Sequence, residues 1–284
     1  MKNTGLKEKI LLILAFILFG LGSLFIISAL NFGKERIIAC DVGQGDAGLI
    51  ITSNGSQILI DGGPGKKVLE CLASKMPFWD RSVEMMVLTH PQKDHMEGFI
   101  SVLENFQVNS IVWTGVRGEG TIFGEWESKI KAEGAKVYHV HSGQRLIIDD
   151  VGFDVLWPSR EKLEEWKLDP PADLNDSSVV MRANFKDGNN DYCAYYTGDI
   201  PKEILQGLIS RPCRILKISH HGSKTGTNGE ILDAVKPKIA IIQVGKNSYG
   251  HPTREVLDLI LSRNIHLYRN DIEGVVELTF GQEN

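Results

Sequence analysis

THPQKDH, residues 89–95, follows a largely apolar run at 84–88 that is typical of a buried strand. His90, Asp94 and His95 therefore stand where a strand ends and a helix begins. Such a corner can aim two imidazoles and a carboxylate at one point, and zinc and related ions bind nitrogen and carboxylate ligands. The stretch predicts half of a metal site.

Three short polar motifs downstream supply candidates for the other half. TGDI contains Asp199, SHHGS contains His220 and His221, and YGHP contains His251. Taken singly, a histidine after a strand is usually a surface or capping residue, and a Gly-Asp pair is usually a turn. Most of these motifs directly follow a predicted strand, and their order along the chain favours one shared metal site over separate turns.

Residues 10–30, ILLILAFILFGLGSLFIISAL, carry no charge and are long enough to cross a bilayer as a helix. Three lysines precede this segment, which weakly places the N-terminus in the cytoplasm. A cleaved signal peptide is the main alternative, but the segment exceeds a typical signal core and lacks a good cleavage site. We predict a tail and single-pass membrane anchor over residues 1–34 and an extracytoplasmic domain over 35–284.

The chain has 284 residues and a formal net charge of −5. The first 36 residues contain five basic and two acidic residues, a net +3, and the remainder therefore carries −8. This acidic balance weakly opposes tight, sequence-independent binding of nucleic acid, which relies on many basic residues. Some basic residues do lie near the predicted site, where they are either solvated or steer an anionic substrate: Lys217, Lys224, Lys246 and Arg254.

The part of the chain that follows the apolar segment is long enough for one large α/β domain. Strand-like runs come first, and strands then alternate with helices in two successive stretches. This pattern predicts a four-layer αββα sandwich, in which helices cover both outer faces of two packed sheets. Residues 159–176 are predicted to be an irregular surface loop, either a flap near the site or a solvated insertion. Four cysteines without a Cys-x-x-Cys pair leave the disulfides undecided.

Seven motifs resemble the metallo-β-lactamase superfamily and, within it, the hydrolase domain of the ComEC competence family. The resemblance covers nearly all of residues 36–280, and it implies the four-layer αββα fold. DVGQGDA, HHGS and the final GHP in this order point to the ComEC-like branch. The motifs are DVGQGDA at 41–47, IDGG at 60–63, THPQKDH at 89–95, LNDSSVV at 174–180, TGDI at 197–200, SHHGSKT at 219–225 and VGKNSYGHP at 244–252.

The resemblance implies a centre of one or two divalent metal ions, zinc or manganese. In this assignment Asp94 and His95 bind one ion, His90 helps to bind the other, and Asp199 bridges both ions. His220 completes the shell of the second ion, while His221 contacts substrate or supports the site, and these two neighbours could exchange roles. Asp94, His221 and His251 form the predicted catalytic set, with His251 at the start of a helix where anions bind well.

Four further residues are expected around the ions. Asp46 and Asp61 are interpreted as groups that orient ligating imidazoles or a bound water, although both could be turn residues. Asn175 stands where other superfamily members have a histidine, and its amide binds metal weakly or holds substrate. Gln92 replaces a His or Asp ligand by a neutral amide, so the first metal site is predicted to be weak or lost.

The resemblance implies a membrane-anchored, metal-dependent hydrolase, most specifically a phosphodiesterase or nuclease that uses a metal-activated water. Two alternatives stay open: a metallo-hydrolase of a phosphocholine polymer, a thioester or a β-lactam, and a non-catalytic binding protein with a degenerate site. ComEC proteins carry a channel domain of many helices, whereas this chain has one apolar span. Any role in DNA uptake would therefore need a separate channel protein as partner.

Overall fold

The computed structural model describes residues 8–17, 19–20, 22, 33–187 and 190–280. Residues 8–17 are helical. The predicted membrane segment at 10–30 lies partly outside the described residues. Among the residues that are described, no helix combines the length and the apolar character needed to cross a bilayer.

Sixteen short strands in the described residues build the framework of the domain. They are β1 (Glu35–Ala39), β2 (Gly48–Ile51), β3 (Gln57–Ile60), β4 (Ser82–Val83), β5 (Met85–Val87), β6 (Gln107–Val108), β7 (Ser110–Trp113), β8 (Lys136–His139), β9 (Arg145–Ile148), β10 (Val151–Trp157), β11 (Val180–Asp187), β12 (Asn190–Tyr196), β13 (Ile215–Lys217), β14 (Ile239–Ile242), β15 (His266–Arg269) and β16 (Val276–Phe280). The first large sheet has the order β16-β1-β2-β3-β5-β7-β8, and the second has the order β15-β14-β13-β12-β11-β10-β9. Strands β4 and β6 form a separate two-stranded sheet.

Eight α-helices follow Gly33 in the described residues, and two 3-10 helices accompany them. The α-helices are α1 (Lys67–Lys75), α2 (Lys93–Asn105), α3 (Gly120–Glu133), α4 (Arg160–Leu168), α5 (Lys202–Leu208), α6 (Gly229–Val235), α7 (Arg254–Leu261) and α8 (Asn270–Glu273). The 3-10 helices span Leu174–Ser177 and Ser219–Gly222. Helices α1 to α3 pack against the first sheet, and helices α5 to α7 pack against the second.

Three apolar layers hold these elements together. Successive side chains of a strand point to opposite faces, so Ile37 packs between the two sheets while its neighbour Ile38 packs under the helices of the first sheet. The same alternation places Leu49 under the helices and Ile50 between the sheets. A third layer lies between the second sheet and its helices. The predicted four-layer αββα sandwich is confirmed.

The prediction of an irregular loop over 159–176 is wrong for its first half. Residues 160–168 form helix α4, whose first turn is capped by the Ser159 hydroxyl, which accepts a hydrogen bond from the backbone N–H of Lys162 at 3.2 Å. Trp166 is buried and packs against the ring of Trp157. The buried Trp166 side chain anchors this largely charged helix to the domain. The acidic composition of the segment favoured a loop, and the helix was therefore not predicted.

All four cysteines are paired. Cys40 is bonded to Cys71, and Cys193 is bonded to Cys213. The first bond ties strand β1 and its following loop to helix α1. The second ties strand β12 to the segment before β13. Strands β12 and β13 are parallel neighbours in the second sheet.

Candidate metal centre

The polar residues of the site stand at the carboxyl ends of strands in both sheets. Asp61 follows β3, and the THPQKDH stretch follows β5, which runs parallel to β3. Asp199 follows β12, and the two histidines of SHHGS follow the parallel strand β13. Because parallel strands end at the same edge of their sheet, these residues meet at one edge of the sandwich.

Four ligand-type side chains converge there. Asp94, His95, Asp199 and His221 each offer one nitrogen or oxygen atom, and these atoms all lie within 4.8 Å of one another. The Nε2 atoms of His95 and His221 lie 3.3 Å and 3.2 Å from Oδ2 of Asp199. Two ligands therefore come from the first sheet and two from the second.

Hydrogen bonds fix the orientation of the His95 ring. Its Nδ1 lies 2.9 Å from Oδ2 of Asp61 and donates to that carboxylate. Asp61 is held in turn by the backbone N–H of Thr89 at 2.8 Å and by its hydroxyl at 2.7 Å. Nε2 of His95 is thereby directed into the cluster, where it is buried without a hydrogen-bond partner. The predicted orienting role of Asp61 agrees with these contacts.

A different acceptor holds the ring of His221. Its Nδ1 donates to the main-chain carbonyl of Gln243 at 2.9 Å, and a carbonyl can only accept. When the ring is neutral, Nε2 therefore carries the lone pair that can bind a metal ion, and it lies 3.3 Å from Oδ2 of Asp94 as well as beside Asp199. This atom is also buried without a hydrogen-bond partner.

Lys217 is a buried cation behind the cluster. Its ammonium group forms an ion pair with Asp46, lies 3.4 Å from Oδ1 of Asp199 and donates to the carbonyl of Gly198 at 2.7 Å. One oxygen of Asp199 thus faces the lysine while the other faces the two imidazoles. The sequence indicated Lys217 only as a nearby positive charge, and its signal was a lysine inside the buried strand β13.

The carboxylates and imidazoles shift one another's pKa. Burial lowers the pKa of His95 and of His221, but the neighbouring carboxylates, chiefly Asp199, outweigh burial and raise both pKa values well above the usual range. Burial raises the pKa of Asp94, yet the adjacent imidazole of His221 and the charge of His95 lower that pKa to about 2. The cluster is therefore a site where negative charge attracts a cation or protons.

His90 lies beside this cluster and is not part of the four converging ligands. Its ring centroid is 4.1 Å from that of His95, and its Nδ1 lies 3.1 Å from the Thr89 hydroxyl. Burial and the neighbouring His95 lower the pKa of His90 to about 3, so the ring is neutral at physiological pH. Its Nε2 and the Oδ1 of the buried Asn175 both lack a hydrogen-bond partner. These two atoms, and Gln92 on the cavity wall, stay predicted ligands of a second ion.

The positions of the two neighbouring histidines favour the exchanged roles that the sequence left open. His221 joins the ligand cluster, whereas His220 is partly exposed in the wall of the cavity above it. Both residues have a left-handed backbone, with φ of 52° and 53°, which is uncommon outside glycine. Their side-chain directions therefore do not follow the alternation of a regular strand. The physical reason is the tight turn of the 3-10 helix after β13.

A cavity of about 410 Å³ opens over the cluster. The predicted His251 lies in its wall, with its ring centroid 5.6 Å from that of His220. Burial lowers the pKa of both of these histidines, so both are neutral at physiological pH. The remaining wall is polar, and its residues include Gln44, Gln92, Lys93 and Tyr249.

Asp46 lies deeper than the cavity, in the loop after β1. Its Oδ1 is 3.2 Å from Nδ1 of His221, and its Oδ2 is 3.8 Å from Nδ1 of His95. Asp46, Asp61 and His95 form a second group of converging ligand atoms, all of them buried. Both predicted orienting carboxylates thus touch the back of a ligating imidazole.

Curated proteins with similar sequences are competence and recombination proteins. The chain is 27% identical to ComE operon protein 3 of Bacillus subtilis (strain 168) and 27% identical to competence protein ComA of Neisseria gonorrhoeae, over 90% and 88% of its length. It is 25% identical to recombination protein 2 of Haemophilus influenzae over 87% of its length. The chain spans only about a third of these relatives, 34%, 33% and 29% of their lengths. No family model matches the chain.

Solved structures with the same fold agree with these relatives. The metallo-β-lactamase fold protein YhfI from Bacillus subtilis matches 86% of the chain over its whole length, with a TM-score of 0.58 and 14% identity. The chain has the metallo-β-lactamase fold. CmlA, a diiron β-hydroxylase from Streptomyces venezuelae, matches 86% of the chain with 54% of its own length, at a TM-score of 0.55 and 14% identity. A diphosphatase from the PhnP family matches 87% of the chain with 99% of its own, at a TM-score of 0.51 and 14% identity.

The predicted metallo-β-lactamase fold and the predicted resemblance to competence proteins are confirmed. A metallo-β-lactamase fold protein and a diphosphatase are among the chain's structural neighbours, and the described residues hold a His/Asp cluster suited to a metal ion. Both findings support the predicted class, a metal-dependent hydrolase. The superfamily fold is shared by a β-hydroxylase and a diphosphatase, so the fold by itself leaves the reaction open.

Proposed function

We propose that this metallo-β-lactamase domain is a metal-dependent phosphodiesterase that cleaves nucleic acid strands. The observation that carries the proposal is the convergence of Asp94, His95, Asp199 and His221 beneath an open polar cavity. Two imidazole nitrogens with free lone pairs and two carboxylates make a four-ligand set that suits zinc or manganese. A divalent ion held there would polarise a phosphoryl oxygen and lower the pKa of a bound water.

The residues of the chain have distinct tasks in this proposal. Asp61 and the carbonyl of Gln243 each hold one imidazole so that Nε2 faces the cluster. Lys217 holds one oxygen of Asp199, which leaves the other oxygen for the ion. In the wall above, His220 and His251 are neutral, and each imidazole can donate one N–H to an oxygen of the phosphodiester.

The substrate class rests on the relatives. Proteins named for competence and for recombination share about a quarter of their aligned residues with nearly the whole chain. The acidic balance of the chain favours a substrate that enters the cavity by a short segment over one that is gripped along its length. Hydrolysis of a thioester, a β-lactam or a phosphocholine polymer, and binding without catalysis, are the outcomes against which we test the proposal.

We also propose that residues 10–30 anchor the domain in a membrane as a single span and that the domain lies outside the cytoplasm. The uncharged 21-residue run and the preceding lysines support this placement. A single span forms no channel by itself, and for any role in DNA uptake we propose a separate channel protein as partner.

The proposal is tested on the purified full chain with zinc or manganese, against linear DNA and against a small phosphodiester. The variant His221→Ala should lose at least tenfold in metal affinity, measured as metal bound after dialysis, and should cleave neither substrate. The matched control is the adjacent substitution His220→Ala, which should keep its metal and lose turnover only. Equal metal retention by the two variants would contradict the assignment of His221 as a ligand.

The two substrates separate the alternatives. Cleavage of both by the unchanged chain supports a phosphodiesterase that acts on nucleic acid. Cleavage of the small ester alone would favour a hydrolase of another substrate, and retained metal without turnover of either would favour a binding protein.

A further inference from the structure

A second cavity, of about 890 Å³, concentrates positive charge in an acidic protein. Seven basic residues and only two acidic ones line it among the described residues. One of the seven, Arg145, is paired with Asp154 at 3.5 Å. The other six form no ion pair within the described part of the chain, and we name them the basic face: Arg182, Lys186, Arg211, Arg214, Lys236 and Lys238.

The basic face lies at the edge of the second sheet that is opposite to the metal centre. Arg214 directly precedes β13, and Lys238 directly precedes β14, so both stand at the amino ends of parallel strands. Lys217, at the other end of β13, reaches the ligand Asp199. The metal centre and the basic face therefore open in opposite directions, and the basic face plays no part in the proposed hydrolysis.

The chain enters the domain beside this face. The N–H of Gly33 donates to the carbonyl of Ser53, whose hydroxyl donates to Asp150, an acidic residue of the cavity wall. The hydroxyl of Tyr192, also in the wall, donates to the carboxylate of Glu35 at 2.5 Å. Hydrogen bonds thus link Gly33, through Ser53, and Glu35 directly to residues in the wall of the basic cavity.

The apolar segment ends close to this point. Only residues 31 and 32 separate its last residue, Leu30, from Gly33, and a fully extended chain of that length spans about 10 Å. That distance is similar to the Debye length of about 8 Å at physiological ionic strength. The side of the domain that carries the basic face is therefore the side nearest to the end of the apolar segment.

We propose that the basic face docks against anionic phospholipid headgroups and holds the domain with its metal centre turned away from the bilayer. This inference rests on the membrane anchor in the proposed function. On the cytoplasmic side of membranes, lysine and arginine clusters next to a span bind anionic lipids, and each such residue strengthens binding about fivefold. We expect the same attraction on the outer side wherever the facing leaflet contains anionic lipid. Nucleic acid carries the same phosphate chemistry, but the position of the face beside the chain entry favours the lipid.

The test uses the full chain in lipid nanodiscs made of phosphatidylcholine alone or of a mixture with phosphatidylglycerol. Hydrogen–deuterium exchange is measured for residues 209–214 and 236–238. We expect these amides to exchange at least threefold more slowly in the anionic discs and to lose that protection in about 1 M NaCl, where the Debye length is ~3 Å. Equal exchange in the two kinds of disc would overturn the proposal.

Two triple variants separate the basic face from general charge effects. Arg211→Gln/Lys236→Gln/Lys238→Gln removes three exposed cations of the face and should abolish the protection. The matched control, Lys129→Gln/Lys162→Gln/Lys167→Gln, removes three lysines on helices α3 and α4, and it should behave as the unchanged chain. Protection that survives the first variant, or that disappears in the control, would contradict the docking site.

Failure of the anchor is distinguishable from failure of the face. Release of the chain from both kinds of disc in about 1 M NaCl would show that residues 10–30 are no anchor, since salt screens charge and leaves an inserted helix in place. Sedimentation with anionic but not zwitterionic vesicles at low salt, lost in the first triple variant, would still support the face. Protection by a short oligonucleotide and not by anionic lipid would show a nucleic acid site and overturn the lipid assignment.

Discussion

At the scale of single residues, the metal centre depends on charges buried in pairs. Lys217 is 4% exposed, and the carboxylates that it contacts, Asp46 and Asp199, are 2% and 1% exposed. Burial alone would lower the pKa of the lysine, but the two carboxylates outweigh burial and raise it. The ammonium group is therefore a permanent charge that offsets part of the repulsion between carboxylates at the site.

Lys217→Met should destabilise the domain because it removes the cation and leaves its two carboxylate partners buried. Loss of one partner of a buried ion pair typically costs about 3–5 kcal/mol. Urea unfolding of the chelator-treated protein measures the loss, and added zinc should recover part of it by replacing the positive charge.

The control for this variant is Lys93→Met, whose side chain is 66% exposed and 3.8 Å from Glu97 on the same helix. An exposed pair of this kind contributes at most about 0.5 kcal/mol. A Lys217→Met variant as stable as this control would show that the lysine is not needed to hold the carboxylates.

The raised pKa values of His95 and His221 predict that metal binding strengthens with pH. In chelator-treated protein both imidazoles carry a proton on each ring nitrogen at neutral pH. A metal ion binds only after the Nε2 protons are released. Raising the pH removes this competition, so the dissociation constant for zinc should fall by up to about tenfold per pH unit for each proton released. Titrations between about pH 6 and pH 8 measure the slope, and a flat profile would contradict the protonation of the two rings.

At the scale of elements, the metal centre depends on how closely helix α2 approaches the loop after β3. The N–H of Gly62 donates to the carbonyl of His95 at 2.7 Å, and the N–H of Gly98 donates to the carbonyl of Gly63 at 2.8 Å. A Cβ atom on Gly98 would lie 2.0 Å from the carbonyl oxygen of Gly62. Only glycine therefore allows the contact that places the start of α2, with its two ligands, against Asp61.

Gly98→Ala should separate helix and loop and weaken the metal centre without changing a ligand. Overpacking of this kind typically costs about 1–3 kcal/mol, and the shift also moves His95 away from Asp61. We expect lower thermal stability together with at least tenfold weaker metal binding. The control Gly124→Ala lies in helix α3, where an added Cβ meets no atom within 4 Å. A variant that loses stability but keeps its metal affinity would separate packing from ligand placement.

At the scale of the whole molecule, the ligands come from both halves of the sandwich. Asp94 and His95 belong to the first sheet and its helix, while Asp199 and His221 follow strands of the second sheet. The ion pair between Asp46 and Lys217 crosses the same boundary. A cation bound by these four ligands would join the two sheets in addition to any catalytic role.

Metal binding should therefore stabilise the whole fold. An ion at a concentration of 100 times its dissociation constant adds about 2.7 kcal/mol, which corresponds to roughly 5–10 °C in Tm for a domain of this size. Calorimetry before and after chelation measures the change. His221→Ala should show no such shift with the same ion, and a Tm that does not respond to metal in the unchanged chain would contradict a site between the sheets.

Much of the fold and of the site follows from the sequence alone. Strand-like runs, followed by strands that alternate with helices in two stretches, predicted the layers because each sheet needs helices to cover its outer face. The residues of the site were found by their chemical type and by their place after strands, as for His95 and Asp199. Local order was sufficient there because parallel strands bring their ends to one edge.

Only the tertiary structure decided the features that depend on turns and on distant partners. His221 rather than His220 reaches the ligands because of left-handed backbone angles in a 3-10 turn, which no periodic rule describes. The ion pair between Lys217 and Asp46 connects the two sheets, and Asp46 lies 171 positions earlier in the chain than Lys217. The basic face gathers residues from strand β11 and from the two segments that precede β13 and β14. Such pairings have no local signature, since long-range packing alone brings these side chains together.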